Sequence, residues 1–275
     1  MTCKRMFMIA VACASLFHVA CRHESGEARA ATVDAQPAAA FDHGVWERLL
    51  ATYVDDRGRV AYARLQDNDV AALGAYLAAL ATAEPQRLPD GEQIALWINA
   101  YNAGIVAAVL QGESAESLIG RGKLFKVWKF EVAGKRRTLD EIEHKILRAQ
   151  FAEPRIHFAI VCASTSCPRL RSEAYTSSRL DAQLEDQARA FLNDSTRNRF
   201  DPTAGTAELS KIFDWFRGDF ERDGTLLHFV ARYVADTDVR AWLRTADRID
   251  VRHLDYDWSL NVQPGERPLR RSRLR

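Results

Sequence analysis

The chain has 275 residues, and 47% of them are hydrophobic, which is enough for one substantial buried core. Its 38 Lys and Arg residues nearly balance its 37 Asp and Glu residues. This balance argues against a nucleic-acid-binding protein. The sequence also contains no internal repeat and no Gly-rich phosphate loop.

The amino terminus has the pattern of an export signal. Lys4 and Arg5 precede an apolar stretch over residues 6–20, which is too short for a comfortable membrane span. The letters "HVAC" end at Cys21 and resemble the lipid-attachment motif of bacterial lipoproteins, which predicts a lipid anchor on that cysteine. The alternative is cleavage after "ARA" at residues 28–30, which would release a soluble periplasmic protein.

These features predict four parts of the chain. They are an export signal over residues 1–20, a flexible tether over 21–40, a single domain over 41–261 and a basic disordered tail over 262–275. We therefore expect the domain on the periplasmic side of a bacterial membrane. The lipid would be its contact with that membrane, and any other partner would be a small molecule or a peptide.

The first half of the domain is predicted to be mainly helical. "VWERLLATYV" spaces its apolar residues for a helix, "DDRGRVAYARL" turns at Gly58 into a short strand, and "VAALGAYLAALATA" is a second helix. A long apolar helix follows over about residues 92–111. "KLFKVWKFEVAGKRRTL" then predicts a hairpin turning near Gly134, and Thr138 with Glu141 forms a capping box for the next helix.

The second half mixes strands and helices. "RIHFAIV" predicts a strand that leads to Cys162, and a helix follows over about residues 180–192. A hairpin around "DPTAG", a short helix in "LSKIFDWFRGDF", a helix over residues 225–235 and a strand in "RIDVRHL" complete the domain. Because strands and helices do not alternate strictly, we predict an α+β fold, a single mixed helix/sheet domain with a long buried central helix.

Two amides interrupt the long apolar helix. Asn99 and Asn102 are three residues apart and therefore lie on the same face. A buried amide without partners costs about 1–3 kcal/mol, so both need hydrogen bonds. They either tie the helix to a loop backbone or orient a catalytic side chain.

Two cysteines remain in the domain when those in or at the end of the predicted signal are set aside. Cys3 and Cys13 lie in the predicted signal and Cys21 at its end, which leaves Cys162 and Cys167. In an oxidising compartment such a pair defaults to a disulfide.

Five segments resemble those of a known family. They are "ALWINAYNA" (95–103), "TLDEIEHKIL" (138–147), "IHFAIVCASTSCPRL" (156–170), "LSKIFDWFRGDF" (209–220) and "YDWSLN" (256–261). In this order they resemble the hallmark segments of the domain-of-unknown-function 547 family. The characteristic residues carried over by position are Trp97, Asn99, Tyr101, Asn102, Glu143, His157, Cys162, Ser166, Cys167, Pro168, Trp215, Asp219, Asp257 and Asn261. The resemblance implies no particular activity.

A catalytic thiol is the alternative to the disulfide. Cys167 precedes Pro168, and proline favours the first position of a helix, where a thiolate is stabilised. His157 is then a candidate general base, although positions 157 and 162 face opposite sides of an unbroken strand. Cys162 would be a structural thiol or a redox partner. The candidates for orienting the histidine are Asn99, Asn102, Asp219 and Asp257.

A zinc site is the weakest of the three interpretations, and otherwise no cofactor is expected. Its ligands would be His157, Cys162 and Cys167, with Asp219 or His144 as the fourth. The candidate binding residues are Trp97, Tyr101, Glu143, Trp215, Asp219 and Asp257. Simpler roles exist for some of them, because Glu143 can form a buried ion pair with Arg148 or Arg155, Trp215 can belong to the core, and "YDWSLN" can be a carboxy-terminal clasp.

Two classes of function follow from this site. The first is a thiol-dependent hydrolase or acyl/amide transferase of the cell envelope with a Cys-His-Asn/Asp site. The second is a non-catalytic envelope binding or scaffold protein with a structural Cys162–Cys167 disulfide. The redox state of the two cysteines separates the classes, because a permanent disulfide removes the nucleophile.

Overall fold

The computed structural model describes residues 40–270. The predicted export signal and the lipid attachment at Cys21 lie outside the described residues, as do residues 22–39 of the tether and the end of the tail. The described residues fall within one compact unit, Ala38–Arg275.

Helices dominate the described residues. The α-helices are α1 (Gly44–Tyr53), α2 (Tyr62–Asn68), α3 (Val70–Ala81), α4 (Asp90–Leu110), α5 (Leu118–Gly122), α6 (Arg148–Gln150), α7 (Leu180–Leu192), α8 (Ile212–Trp215), α9 (Arg217–Phe220), α10 (Leu226–Tyr233) and α11 (Thr237–Thr245). Lys123–Val127 and Glu141–Leu147 are wound as π-helix. Short 3₁₀ helices cover Pro85–Arg87, Pro154–Phe158 and Ser177–Arg179.

The predicted hairpin after α5 is present. Strands β1 (Phe130–Val132) and β2 (Lys135–Arg137) pair antiparallel. Ala133 and Gly134 have φ angles of 50° and 69°. Two successive left-handed residues form the tight turn whose twist suits a two-residue hairpin.

A second small sheet lies near the carboxyl end. Strand β4 (Thr206–Leu209) pairs antiparallel with β3 (Arg199–Asp201) and parallel with β5 (Asp250–His253). The described residues thus combine many helices with two short sheets, and the predicted α+β class is confirmed.

The long helix α4 is the centre of the main core. Asp90 and Glu92 lie in its first turn, where acidic side chains favour the helix dipole. Every residue from 95 to 110 is buried. By length and composition α4 could span a membrane, with a mean hydropathy of 1.4, but 89% of its apolar window is buried inside the protein. The apolar composition is therefore explained by burial, as predicted.

A second core cluster contains five phenylalanine rings that pack edge to face or stacked. This phenylalanine cluster consists of Phe158, Phe191, Phe213, Phe220 and Phe229. Such rings contribute both apolar burial and favourable ring–ring contacts.

The predicted strand over "RIHFAIV" is wrong. Pro154 starts a 3₁₀ helix that ends at Phe158, and residues 159–163 are irregular. Proline has no N–H for a strand ladder and suits the first position of a helix. The apolar run is instead buried between the two core clusters, so its hydrophobicity reflects burial rather than strand pairing.

The chain beyond Asn261 is not a free tail over the residues described. Val262 forms a bridge with Val60, and Glu266 accepts a hydrogen bond of 2.9 Å from the backbone N–H of Ala63. Arg267 forms an ion pair with Asp67. Residues 262–270 therefore dock along α2, which the basic composition of the segment did not indicate.

Candidate functional site

A cavity of about 240 Å³ opens beside the cysteine loop, residues 162–167. We name it the thiol pocket. Its lining includes the side chains Cys162, Cys167, Tyr101, Glu143, His144, His157, Asp140, Lys126, Phe125, Trp215, Phe216, Tyr256 and Trp258. Both thiols, a buried carboxyl group and a buried imidazole thus face one aromatic-walled space, which is the usual form of a small-molecule site.

A larger groove of about 640 Å³ also reaches Cys167. Three of its arginines are engaged by neighbours: Arg59 binds Asp55, Arg169 binds Asp186, and Arg197 binds Asp194 and the carbonyl oxygens of Cys167 and Thr165. Neither His157 nor Glu143 lines this groove. The thiol pocket is therefore the better candidate despite its smaller volume.

The sulfur of Cys162 has three polar neighbours. It lies 2.9 Å from the Ser164 hydroxyl oxygen, 3.1 Å from the Tyr256 hydroxyl oxygen and 3.1 Å from the sulfur of Cys167. Cys167 is buried and accepts a hydrogen bond of 2.9 Å from the backbone N–H of Cys162. Cys162 lines the thiol pocket and is the more exposed of the two residues.

These contacts shift the pKa values of the two thiols in opposite directions. Burial opposes ionisation of Cys162, but hydrogen bonds from Cys167, Ser164 and Tyr256 outweigh it and lower the pKa of Cys162 from 9.0 to about 7. Burial and the neighbouring thiolate raise the pKa of Cys167 well above its usual value. The pair therefore ionises once near neutral pH, with the charge on Cys162.

Two parts of the chain hold the cysteine loop, one before it and one after it in the sequence. The Asn102 amide donates to the Ala159 carbonyl oxygen (2.9 Å) and accepts from the Val161 N–H (3.0 Å), which fixes the backbone just before Cys162. On the other side, "YDWSLN" clasps the loop. The clasp consists of Thr165 N–H to Ser259 O, Ser166 N–H to Asp257 O and Asn261 N–H to Ala163 O.

The residue after Cys162 has a strained backbone. Ala163 has a φ angle of 57°, in the left-handed region that disfavours residues with a Cβ atom. The turn reverses the chain so that Cys162, Ser164 and Cys167 converge. Such strain persists because the surrounding hydrogen bonds determine the loop conformation.

His157 is paired with Asp219 rather than with a thiol. Its Nε2 atom lies 2.8 Å from the Asp219 Oδ2 atom, and its ring stacks on Phe216 at 4.0 Å. Arg148 Nε donates to the same carboxylate oxygen at 2.6 Å. Burial lowers the pKa of His157, and among the described residues it makes no hydrogen bond to either cysteine. His157 and Asp219 are thus paired as predicted, but the expected Cys–His contact is not formed.

Glu143 has a more unusual environment than its predicted ion pair. Its carboxylate accepts a hydrogen bond of 3.2 Å from the Tyr101 hydroxyl. Arg148 binds Asp219 and His144 instead, and Arg155 binds Glu153, so the ion pair expected for Glu143 is wrong. Burial raises the pKa of Glu143 to about 7, and the Cys162 thiolate adds to this rise. A carboxyl group with a pKa near 7 can donate or accept a proton at neutral pH, and the sequence context of Glu143 did not reveal this pKa.

Other predicted residues have structural positions. The Asn99 amide binds the backbone N–H and carbonyl oxygen of Tyr175, 3.0 and 2.8 Å away, and it touches neither His157 nor a thiol. Trp97 is buried in the main core beneath the Arg137 guanidinium. Asp257 accepts from the Ser259 N–H and shapes the clasp turn. Neither amide in α4 orients His157, because both bind backbone groups.

The argument for Cys167 as the nucleophile is not supported by the local structure. No helix begins at Pro168, since residues 168–171 are irregular. The stabilised thiolate is Cys162 instead. Both cysteines are free thiols in this structure, so the predicted disulfide is not formed here. Within residues 40–270, no group of three or more His, Cys, Asp and Glu side chains is placed to hold a metal ion.

An aromatic rim borders the pocket. We define the rim as Trp215, Tyr256 and Trp258, whose ring centroids lie 4.5–5.6 Å apart. The simplest interpretation of Trp215, a core residue, is wrong, because its side chain is 45% exposed. Tyr256 was not among the candidate site residues, although it lies in the "YDWSLN" segment that clasps the loop. Ser164 was also missed, although it lies between the two cysteines.

Comparison with known proteins matches part of the chain to a family whose description names no activity. Residues 85–192 match the model of a family described as "Protein of unknown function, DUF547", which confirms the resemblance for this segment. The match includes α4, Glu143, His157 and the cysteine loop, whereas Trp215, Asp219 and the clasp lie beyond it. No curated protein and no solved structure matches the chain.

Proposed function

We propose that the protein is an exported, thiol-dependent hydrolase or acyl/amide transferase in which Cys162 is the nucleophile. The observation that carries this proposal is the set of three hydrogen-bonding groups around the Cys162 sulfur. Hydrogen bonds to the charged form of a thiol stabilise the thiolate, which is the nucleophilic species. The pocket around it accommodates a small acyl or amide group.

The proposed reaction has two steps. The Cys162 thiolate attacks a carbonyl carbon, and the leaving amine or alcohol departs with a proton from the Glu143 carboxyl group, which leaves a thioester on Cys162. Water or an acceptor amine or alcohol then attacks the thioester and gives its proton back to the Glu143 carboxylate. The product is released and the thiolate is restored.

Glu143 suits this role because its negative charge and that of the Cys162 thiolate repel each other. The negative charge of the Cys162 thiolate raises the pKa of Glu143, so ionisation of the thiol favours the protonated carboxyl group. The resting pair at neutral pH is then a thiolate and a carboxylic acid, which the first step requires. His157 lines the same pocket, but its Nε2 atom is bound to Asp219 and burial lowers its pKa. Proton transfer is assigned to Glu143 because the pKa of its carboxyl group is raised to about 7.

Thiol reactivity tests the proposal without knowledge of the substrate. The purified protein is alkylated with iodoacetamide between pH 5 and 10, with and without prior reduction, and the modified residue is located by peptide mass. We expect one fast-reacting thiol at Cys162 with a midpoint near pH 7, and loss of this reaction in Cys162→Ser. The matched variant Cys167→Ala should retain the reaction but shift its midpoint upward, because one hydrogen-bond donor is lost.

Acylation then tests catalysis. Incubation with a panel of nitrophenyl esters and peptide anilides should leave a mass adduct on Cys162, and Glu143→Gln should slow its turnover more than His157→Asn. If both thiols are blocked until reductant is added, the cysteines form a disulfide staple. That result would support the non-catalytic binding or scaffold protein instead.

A further inference from the structure

A basic and apolar surface lies beside the mouth of the thiol pocket. Between Ser117 and Phe130 the chain has four basic residues and no acidic one, and we name residues 118–129 the basic-apolar segment. Three of the most exposed large apolar side chains of the described residues occur here. They are Leu118, Ile119 and Val127, exposed by 77%, 76% and 67%.

The segment has a fixed shape rather than a loose loop. The Ser117 hydroxyl accepts a hydrogen bond of 2.9 Å from the Gly120 N–H and caps α5, which continues directly into the π-helical turn Lys123–Val127. Leu124 is fully buried and anchors the turn in the main core. The exposed apolar side chains are therefore presented by a helical scaffold, where their exposure to water is unfavourable.

The positive charges of the segment are not consumed by ion pairs. Lys123, Lys126 and Lys129 are exposed, and none forms an ion pair with another described residue. Arg121 lies over the Trp258 ring at 4.4 Å. The nearest acidic residues along the chain are Glu116 and Glu131, outside the segment.

The aromatic rim extends this surface. Trp258 contacts Arg121 of the segment, and it stacks on the half-exposed Trp215 at 5.6 Å. Phe125 and Lys126 line the thiol pocket together with both tryptophans. Exposed aliphatic side chains, free lysines and a tryptophan at one pocket mouth are the composition of a surface that binds the interface of an anionic bilayer.

We propose that the basic-apolar segment, with Trp215, docks on an anionic phospholipid surface and places the mouth of the thiol pocket at that surface. The lysines attract the negatively charged headgroups, and Leu118, Ile119 and Val127 enter the boundary between headgroups and acyl chains. A second copy of this chain or a protein partner has weaker support, because the described segment combines charge of one sign with isolated aliphatic side chains.

Vesicle sedimentation with the full chain provides the first test. Vesicles contain phosphatidylcholine alone or with 30% phosphatidylglycerol, at low and high salt. We expect binding that requires phosphatidylglycerol and weakens with salt. Lys123→Glu/Lys129→Glu should weaken binding about tenfold or more, since each basic residue near an anionic surface contributes roughly 1 kcal/mol. The matched control Arg244→Glu/Arg248→Glu makes the same charge change at exposed positions on and beyond α11 and should bind normally.

A second measurement separates this surface from any membrane contact of the amino-terminal segment. Quenching of tryptophan emission by brominated acyl chains reports whether the aromatic rim reaches the bilayer, however the chain is attached. We expect quenching that drops in Trp215→Phe and in Leu118→Ser/Ile119→Ser, but not in Trp242→Phe. Equal binding and quenching in all variants would overturn the proposal. It would also be overturned if the wild type did not bind vesicles but formed a dimer, and if Leu118→Ser/Ile119→Ser abolished that dimer. Thiol reactivity in solution does not depend on this docking, so the two proposals fail separately.

Discussion

The phenylalanine cluster and the aromatic rim use rings from the same short segment, residues 209–220, but they differ in exposure and polarity. Phe213 and Phe220 are 0% and 3% exposed and pack on each other within the phenylalanine cluster, whereas Trp215 is 45% exposed and borders the thiol pocket. The rim also contributes the Tyr256 hydroxyl to a thiol. Neighbouring aromatic residues thus divide into a cluster that stabilises the fold and a rim that shapes a site.

The largest difference should appear in stability. Phe213→Ala leaves a cavity in the phenylalanine cluster and should lower the free energy of unfolding by about 3–5 kcal/mol. Trp215→Ala removes a half-exposed ring and should cost about 1 kcal/mol or less. Chemical denaturation measures both values, and equal losses would mean that the two regions are not energetically distinct.

A pH-dependent difference should follow from Glu143, which belongs to the pocket side of the molecule. Burial raises its pKa from 4.5 to about 7 in the folded protein, so the folded state binds the proton more tightly than the unfolded state. The stabilisation is therefore complete below about pH 4.5 and is lost as the pH rises through about 7, a loss of roughly 3 kcal/mol.

Glu143→Gln removes this titration, and the free energy of unfolding of wild type relative to this variant should fall over that pH range. Phe213→Leu is the matched comparison, because its destabilisation in the phenylalanine cluster should be the same at every pH. Parallel stability curves for wild type and Glu143→Gln between pH 4.5 and 8 would contradict the raised pKa.

The next effect concerns thiol chemistry. Tyr256→Phe keeps the ring in the aromatic rim but removes one hydrogen bond to the Cys162 thiolate. A hydrogen bond to a charged group contributes about 1.5–3 kcal/mol, so the pKa of Cys162 should rise by about 1–2 units. The pH dependence of alkylation measures it. Tyr233→Phe, which changes a ring packed in the phenylalanine cluster, should leave the midpoint where it is.

The smallest effect should come from the backbone beside the thiol. Ala163→Gly relieves a left-handed conformation that costs about 1 kcal/mol, and it should raise stability by less than that amount. Ala188→Gly, in the middle of α7 beside the phenylalanine cluster, should instead lose about 1 kcal/mol or more. Thermal denaturation of the pair would show opposite signs, unless strain at Ala163 is absent in solution.

Periodicity in the sequence was sufficient for the elements that depend on local signals. The long helix, the hairpin at Gly134, the Thr138–Glu141 capping box and the last strand are all present. The short helix α11 was missed, although the Asp236 side chain caps it. The strand over "RIHFAIV" was wrong because an apolar run indicates burial but not the partner that satisfies its backbone.

The candidate site was predictable in its location but not in its roles. The cysteine loop, Asn102 and His157 are gathered in one region, because short motifs mark the positions where the backbone must be fixed. The choice between the two thiols depends on Tyr256, which is 94 residues from Cys162 along the chain. No local pattern encodes a contact of that range. The raised pKa of Glu143 is likewise a property of burial in the folded protein.

The clasp has a consequence for the order of events during synthesis. The groups that make Cys162 unlike an ordinary thiol include a hydroxyl from the last part of the domain, and Tyr62 also waits for Asn261, 199 residues later, as its hydrogen-bond partner. Chains are made from the amino end, so both cysteines emerge long before the clasp exists. Until residues 256–261 arrive, the pair consists of two unshielded thiols, open to any oxidant they meet. The hydrogen bond between Cys162 and Tyr256 can therefore form only after the carboxyl end of the domain has been made.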